Sequence, residues 1–139
     1  MKKLIAIILG FILVSATTYF VSAEISKNDG FVSYEEVVKR DKMAVVYIYS
    51  ENCTYCHEFF PVFKDLSQEF RHKFLFSTVD VYDKKYYPLL RKLKVRGVPA
   101  IYLYNPQKQG LSLVPPYYYT EQHMRKILTN FSLNSDKKK

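Results

Sequence analysis

The chain has 139 residues, room for one domain with a real core and none for two. Hydrophobic residues make up 48% and aromatic residues 17%, the latter entirely Tyr and Phe with no Trp. This excludes a disordered chain and predicts a core of Phe, Val, Leu and Ile with Tyr at its margins. The net charge is +8, but the basic residues are scattered among acids without an Arg-rich stripe, and three of them form the terminal run Lys137, Lys138, Lys139; no nucleic-acid partner is expected, and mild attraction to anionic surfaces is the most the charge implies.

The first residues read as a targeting segment. Met1, Lys2 and Lys3 make a short basic start, residues 4–14 an unbroken apolar run, and Val21, Ser22 and Ala23 a small-residue cleavage site. Residues 1–23 are therefore expected to be a signal peptide; the alternative is an uncleaved anchor, because residues 4–21 approach the length that spans a bilayer. Either way the domain is expected outside the cytoplasm, periplasmic or secreted. Residues 24–32 are polar and read as a linker.

Ser33 followed by Glu36 is a capping-box pattern, and Val37 and Val38 give a short helix to about residue 40 its apolar side. Residues 43–49, rich in β-branched residues and Tyr, predict a buried strand that ends at Ser50, Glu51 and Asn52. The only two cysteines follow, in the stretch Cys53-Thr54-Tyr55-Cys56-His57. From Cys56 the apolar positions Phe59, Phe60, Phe63, Leu66 and Phe70 recur at helical spacing, with Pro61 expected to kink the helix. A strand over 74–81 and a helix over 83–94 come next, the latter with Pro88 in its first turn. Residues 95–99 break that helix, 100–104 read as a strand, and 111–114 as its hairpin partner across a turn over 105–110. Thr120 caps a last helix with Met124, Ile127, Leu128 and Phe131 facing inward, and residues 132–139 read as a polar, basic tail.

Taken alone, Cys-x-x-Cys-His admits dithiol redox exchange, covalent haem attachment and metal ligation. A purely structural disulfide is a poor explanation, because so short a loop hardly restricts the unfolded chain. Haem attachment needs a second axial ligand, with Met43, Met124, His72 and His123 left to supply it, and alternating strands do not suit a small helical cytochrome. Cys53, Cys56 and one His would suit Cu(I) or Zn(II), but a fourth ligand is not apparent.

A strand running into Cys-x-x-Cys at a helix start, Pro61 five residues beyond Cys56, Asp80 closing a strand, and Gly97-Val98-Pro99 opening the next together resemble the thioredoxin family. The resemblance implies an α/β fold over residues 33–131, a central mixed sheet of about four strands flanked by helices. It also implies an extracytoplasmic thiol–disulfide oxidoreductase acting on protein thiols and disulfides, with a membrane or periplasmic redox partner, as a monomer. The redox disulfide Cys53–Cys56 would serve without a cofactor or a metal. Pro99 would be cis, offering the backbone of Val98 to an extended substrate. Cys53, at a helix N-terminus that favours the thiolate, is the expected nucleophile, and Cys56, one turn in, the resolving thiol.

The departures from cytoplasmic thioredoxins are as informative. Asn52 stands where Trp is usual, Thr54-Tyr55 replaces Gly-Pro between the cysteines, and Tyr47 and Phe76 occupy the places of the buried acid–base pair. Tyr55-Cys56-His57 is more similar to periplasmic disulfide isomerases, whose dimerisation domain this chain has no room for. Thr54 and Tyr55 are placed to tune potential and contact substrate, and Glu51 and His57 are the nearest titratable groups. The run Tyr117-Tyr118-Tyr119 fits an aromatic rim or ordinary packing equally well. Two rival functions use the same chain: a non-catalytic thioredoxin-like module that docks a partner, and a Cu(I) or Zn carrier.

Overall fold

The computed structural model describes residues 30–136. The expected signal peptide or anchor, most of the expected linker and the last three lysines lie outside the described residues. Among the described residues no helix is long and apolar enough to cross a membrane.

The first helix, α1 (Tyr34–Arg40), starts where Ser33 accepts the Glu36 N–H at 3.2 Å and ends at Asp41, whose φ of 48° reverses the chain. It buries Val37 but leaves Val38 about half exposed, so its apolar side is one residue wide, narrower than the sequence predicts. Strand β1 (Ala44–Tyr49) leads into α2 (Thr54–Phe70), which returns the chain to β2 (Leu75–Asp80), parallel to β1. Pro61 lies inside α2 without ending it; having no N–H, it cannot bond the His57 carbonyl one turn back.

The stretch expected as one helix over 83–94 is two. A 3₁₀ turn, Lys84–Tyr86, capped by the Asp83 carboxylate on the Lys85 N–H, precedes α3 (Tyr87–Leu93). The reason is Pro88, which fits an α-helix only in its first turn and so sets where the α-helix begins. Lys94, at φ 52°, ends it.

Strand β3 (Ala100–Asn105) pairs antiparallel with β1 and, through a 3₁₀ turn at Pro106–Lys108, with β4 (Gly110–Val114). The sheet order is β2-β1-β3-β4, with β1 and β3 central. The mixed α/β architecture is the one the thioredoxin resemblance implies.

The last helix, α4 (Glu121–Asp136), runs five residues past Phe131, into the stretch expected as a polar tail. Ser132 is fully buried there. Its hydroxyl donates to the Thr129 carbonyl at 2.8 Å and accepts from Lys73 Nζ at 3.4 Å, while Thr129 and Ser135 donate to Arg125 and Phe131. Hydroxyls that bond back to their own helix carry no unsatisfied polarity into the packing, which is why a polar sequence continues the helix. The expected linker is corrected in the same way at its end: Phe31 stacks on Phe63 at 5.3 Å and Val32 bridges to Ser77, so both belong to the fold.

Side chains alternate across the sheet and build two layers. Val45, Tyr47, Phe76, Ile101, Leu103 and Val114 point to one face, where α2 and α4 cover them with Phe59, Phe63, Leu66, Phe70, Met124 and Leu128. Phe63 is the hub of this layer, with ring centroids 4.8 Å from Tyr47 and 5.4 Å from Phe76. On the other face Val46, Ile48, Val79, Ala100 and Tyr102 pack under Tyr86 and α3, and Val37 of α1 covers Ala44 and Tyr104.

Candidate functional site

The C-terminal end of β1 delivers the cysteines. Ser50 turns the chain: its carbonyl accepts the Cys53 N–H at 3.1 Å and its hydroxyl the Asn52 N–H at 3.2 Å. Cys53 is then the N-cap of α2, and its sulfur accepts the Cys56 N–H at 3.1 Å. The two cysteines form a disulfide, with Cα atoms 5.2 Å apart. Their environments differ. Cys53 is half-buried at the helix start, whereas Cys56 is 2% exposed and belongs to the core beneath α2.

The unpaired N–H groups at the start of α2 favour negative charge, so on reduction the helix end stabilises a Cys53 thiolate. No acidic residue stands in the first turn to oppose this. Cys53 Sγ lies 3.7 Å from the Val98 carbonyl, and the Val98–Pro99 peptide bond is cis. Val98 and Pro99 are half-buried, brought to the cysteines from 45 residues away by the loop between α3 and β3.

Tyr47, in the place of the missing carboxylate, is fully buried on β1, and its hydroxyl donates to the Cys56 carbonyl at 2.9 Å. Burial, with the phenols of Tyr119 and Tyr49 nearby, holds Tyr47 well above the ordinary tyrosine range, so it is a neutral hydrogen-bond donor and not a base. Phe76, in the other place of the pair, meets Phe63 edge to face. Among the described residues no carboxylate is buried.

His57 is exposed, and its Nε2–H donates to the Glu51 carbonyl at 2.6 Å, tying the turn before Cys53 to the first turn of α2. The contact with Glu51 is thus through its backbone, while the exposed Glu51 side chain faces solvent. Thr54 is exposed at the first position of α2. Tyr55 is 74% exposed and lines a groove of about 760 Å³. Glu58, Phe59 and Val62 of α2, residues 93–100 with Val98 and Pro99 among them, and Tyr102, Leu113, Pro116 and Tyr119 complete its wall. That size is ordinary for a binding cleft.

The structure therefore brings together Cys53, Cys56, Val98 and Pro99, with Tyr55 beside them, and sets His57 and Glu51 to bracing the turn. Sequence reasoning missed the Tyr47 bond to Cys56 and the part played by Tyr119. Of the tyrosine run, Tyr117 is 72% exposed, Tyr118 packs on the core, and Tyr119 enters the groove wall. Among the described residues, no group of three or more His, Cys, Asp or Glu side chains is placed to hold a metal ion.

The arrangement is competent for thiol–disulfide exchange: a disulfide closed across a helix N-terminus, one sulfur reachable and one shielded, beside an open groove. Comparison with solved structures finds the same fold. A thioredoxin from Thermus thermophilus is 21% identical with a TM-score of 0.62, covering 76% of this chain and 88% of its own. The first two thioredoxin domains of Saccharomyces cerevisiae Eps1p are 20% identical at a TM-score of 0.61, with 76% and 43% covered. The J-Trx1 fragment of ERdj5 is 15% identical at a TM-score of 0.61, with 71% and 46% covered. The chain thus spans less than half the length of these last two. No curated protein matches it in sequence. The thioredoxin family model matches residues 24–128, and with the Cys53–Cys56 disulfide supporting thiol–disulfide redox chemistry, the chain belongs to the thioredoxin family.

Proposed function

We propose that the protein is an extracytoplasmic thiol–disulfide oxidoreductase that exchanges disulfides with protein substrates through Cys53 and Cys56. The observation that carries this reading is the asymmetry of the pair: Cys53 half-exposed at a helix N-terminus 3.7 Å from Val98 in the groove wall, Cys56 buried behind it.

In the reducing direction the Cys53 thiolate attacks one sulfur of a substrate disulfide. A Cys53–substrate disulfide forms, and the other substrate sulfur leaves as a thiolate that takes a proton. Cys56, giving up its own proton, attacks Cys53 Sγ; the Cys53–Cys56 disulfide closes and the second substrate thiolate departs, two electrons having passed to the substrate. Run backwards, the same steps oxidise a substrate dithiol, and a membrane or periplasmic partner resets the pair. No cofactor enters.

The targeting pattern in residues 1–23 supports the extracytoplasmic assignment. We take residues 1–23 as a leader, residues 33–131 as the core of the domain and the protein as a monomer. Val98 presents its backbone to an extended substrate, and Thr54 and Tyr55 flank it.

The test is trapping. A Cys56→Ser variant, expressed with its leader, is expected to accumulate mixed disulfides on Cys53 that disappear on a reducing gel, and their identification gives the direction of exchange. Absence of adducts in the compartment where the protein resides sinks the assignment. On the reduced wild-type protein, Cys53 is expected to be alkylated faster than Cys56 at neutral pH; equal rates, or Cys56 first, sink the division of roles.

A further inference from the structure

Tyr119 is held in an unusual way. It follows the 3₁₀ turn Pro116–Tyr118, and its N–H donates to the Pro116 carbonyl at 3.0 Å. Its hydroxyl accepts the N–H of Ile101 at 2.8 Å and donates to the carbonyl of Val114 at 3.0 Å. Ile101 and Val114 are register partners at the end of the β3–β4 ladder. A side-chain oxygen thus bridges the last rung of that ladder, two residues beyond Pro99. The ring, 5.7 Å from that of Phe59 on α2, stands in the groove wall.

The bridge joins three parts that bear on the site. It fixes the start of β3, and with it the end of the preceding loop that carries Val98 and Pro99. It ties down the end of β4, from which Leu113 reaches the groove. Through the ring it links both to α2, the helix that begins at the cysteines. No polar contact in the bridge touches either sulfur.

We propose that Tyr119 is a positioning residue of the groove, its hydroxyl bridge between Ile101 and Val114 holding the Pro99 side of the groove at the spacing an extended substrate requires. The inference rests on the proposed exchange activity, and it separates two properties of the site. Docking of a protein substrate depends on Tyr119, and the chemistry of the sulfurs does not.

Tyr119→Phe keeps the ring and removes only the bridge. Single-turnover oxidation of the reduced protein is followed with insulin, as a disulfide-bearing protein, and with glutathione disulfide, which is too small to need the groove. The half-saturating insulin concentration is expected to rise about fivefold, the order set by one hydrogen bond, while the limiting rate and the glutathione disulfide rate stay within about twofold. Tyr104→Phe removes a hydroxyl at the other end of β3, where it bonds Asp41, and serves as the control for a general loss of stability. It is expected to leave the insulin dependence unchanged.

An unchanged half-saturation in Tyr119→Phe overturns the inference, as does an equal fall in both rates, or an equal shift in Tyr104→Phe. Should reduced wild-type protein reduce neither probe, the activity reading itself fails and this inference with it.

Discussion

The two faces of the sheet are built differently. The face under α2 and α4 is covered by helices of 17 and 16 residues and packed with stacked Phe and Tyr rings. The opposite face lies under two seven-residue helices, and α3 contributes no fully buried side chain. Cys56 belongs to the thick layer, whereas the groove opens where the thin layer ends, at Leu93 and Val95. The difference teaches a division of labour. On the proposed function, the resolving sulfur sits in the more deeply packed layer, and substrate would meet a groove walled in part by the thinner one.

The sharpest way to break this contrast is to delete matched side chains. Phe63→Ala removes the hub of the aromatic layer and is expected to cost about 3–5 kcal/mol in denaturant unfolding. Leu90→Ala, on half-buried α3, is expected to cost about 1–2 kcal/mol. Equal losses abolish the distinction between the layers.

The hydroxyls give a finer comparison. Tyr47 bonds the Cys56 carbonyl at 2.9 Å inside the thick layer, and Tyr102 reaches the Leu93 carbonyl at 3.5 Å from the thin one. Tyr47→Phe should cost about 1 kcal/mol and Tyr102→Phe less than about 0.5 kcal/mol, both read from unfolding midpoints.

Tyr47 also sets an alkaline limit. Its phenol, like that of Tyr119, is raised by burial, so the unfolded chain loses these protons from about pH 10 while the folded chain retains them. The unfolded state then binds fewer protons, and stability falls as pH rises above about 10, with no contribution from this source below about 9. Tyr47→Phe is expected to flatten that decline; an unchanged slope shows that Tyr47 ionises freely in the folded protein.

The smallest effect is expected at the surface. Arg125 of α4 pairs with Glu69 of α2 and with Glu121 at 2.8–3.0 Å, all three side chains exposed. Arg125→Gln should shift the melting midpoint slightly at low salt and by less at high salt, because exposed ion pairs are weakened by screening.

Much of this fold was legible because its signals are local. β-Branched and aromatic residues mark β1 and β3, three- and four-residue spacing marks α2, and Ser33 marks the start of α1. The end of α4 was not, because serine and threonine look like tail residues until their hydroxyls are seen to bond their own helix. The division of residues 83–94 was open to inspection in Pro88, whose tolerance for the first helical turn alone dictates it.

The same boundary runs through the site. Cys53, Cys56 and Gly97-Val98-Pro99 are motifs that sequence displays directly. The bonds of Tyr47 and Tyr119 end on backbone carbonyls and amides, which every residue carries and no sequence pattern singles out. Tyr47 could be recognised only as a carboxylate missing from its place.

That substitution has an electrochemical consequence. With a phenol that stays protonated next to Cys56 and no buried carboxylate among the described residues, oxidising the dithiol releases two protons from the sulfurs and draws none from the interior. The midpoint potential of the couple should therefore fall by about 59 mV per pH unit in a straight line, two protons for two electrons, until the Cys53 thiol itself ionises. An interior carboxylate coupled to the thiols would bend that line, so its straightness measures how completely Tyr47 has taken proton storage out of the core.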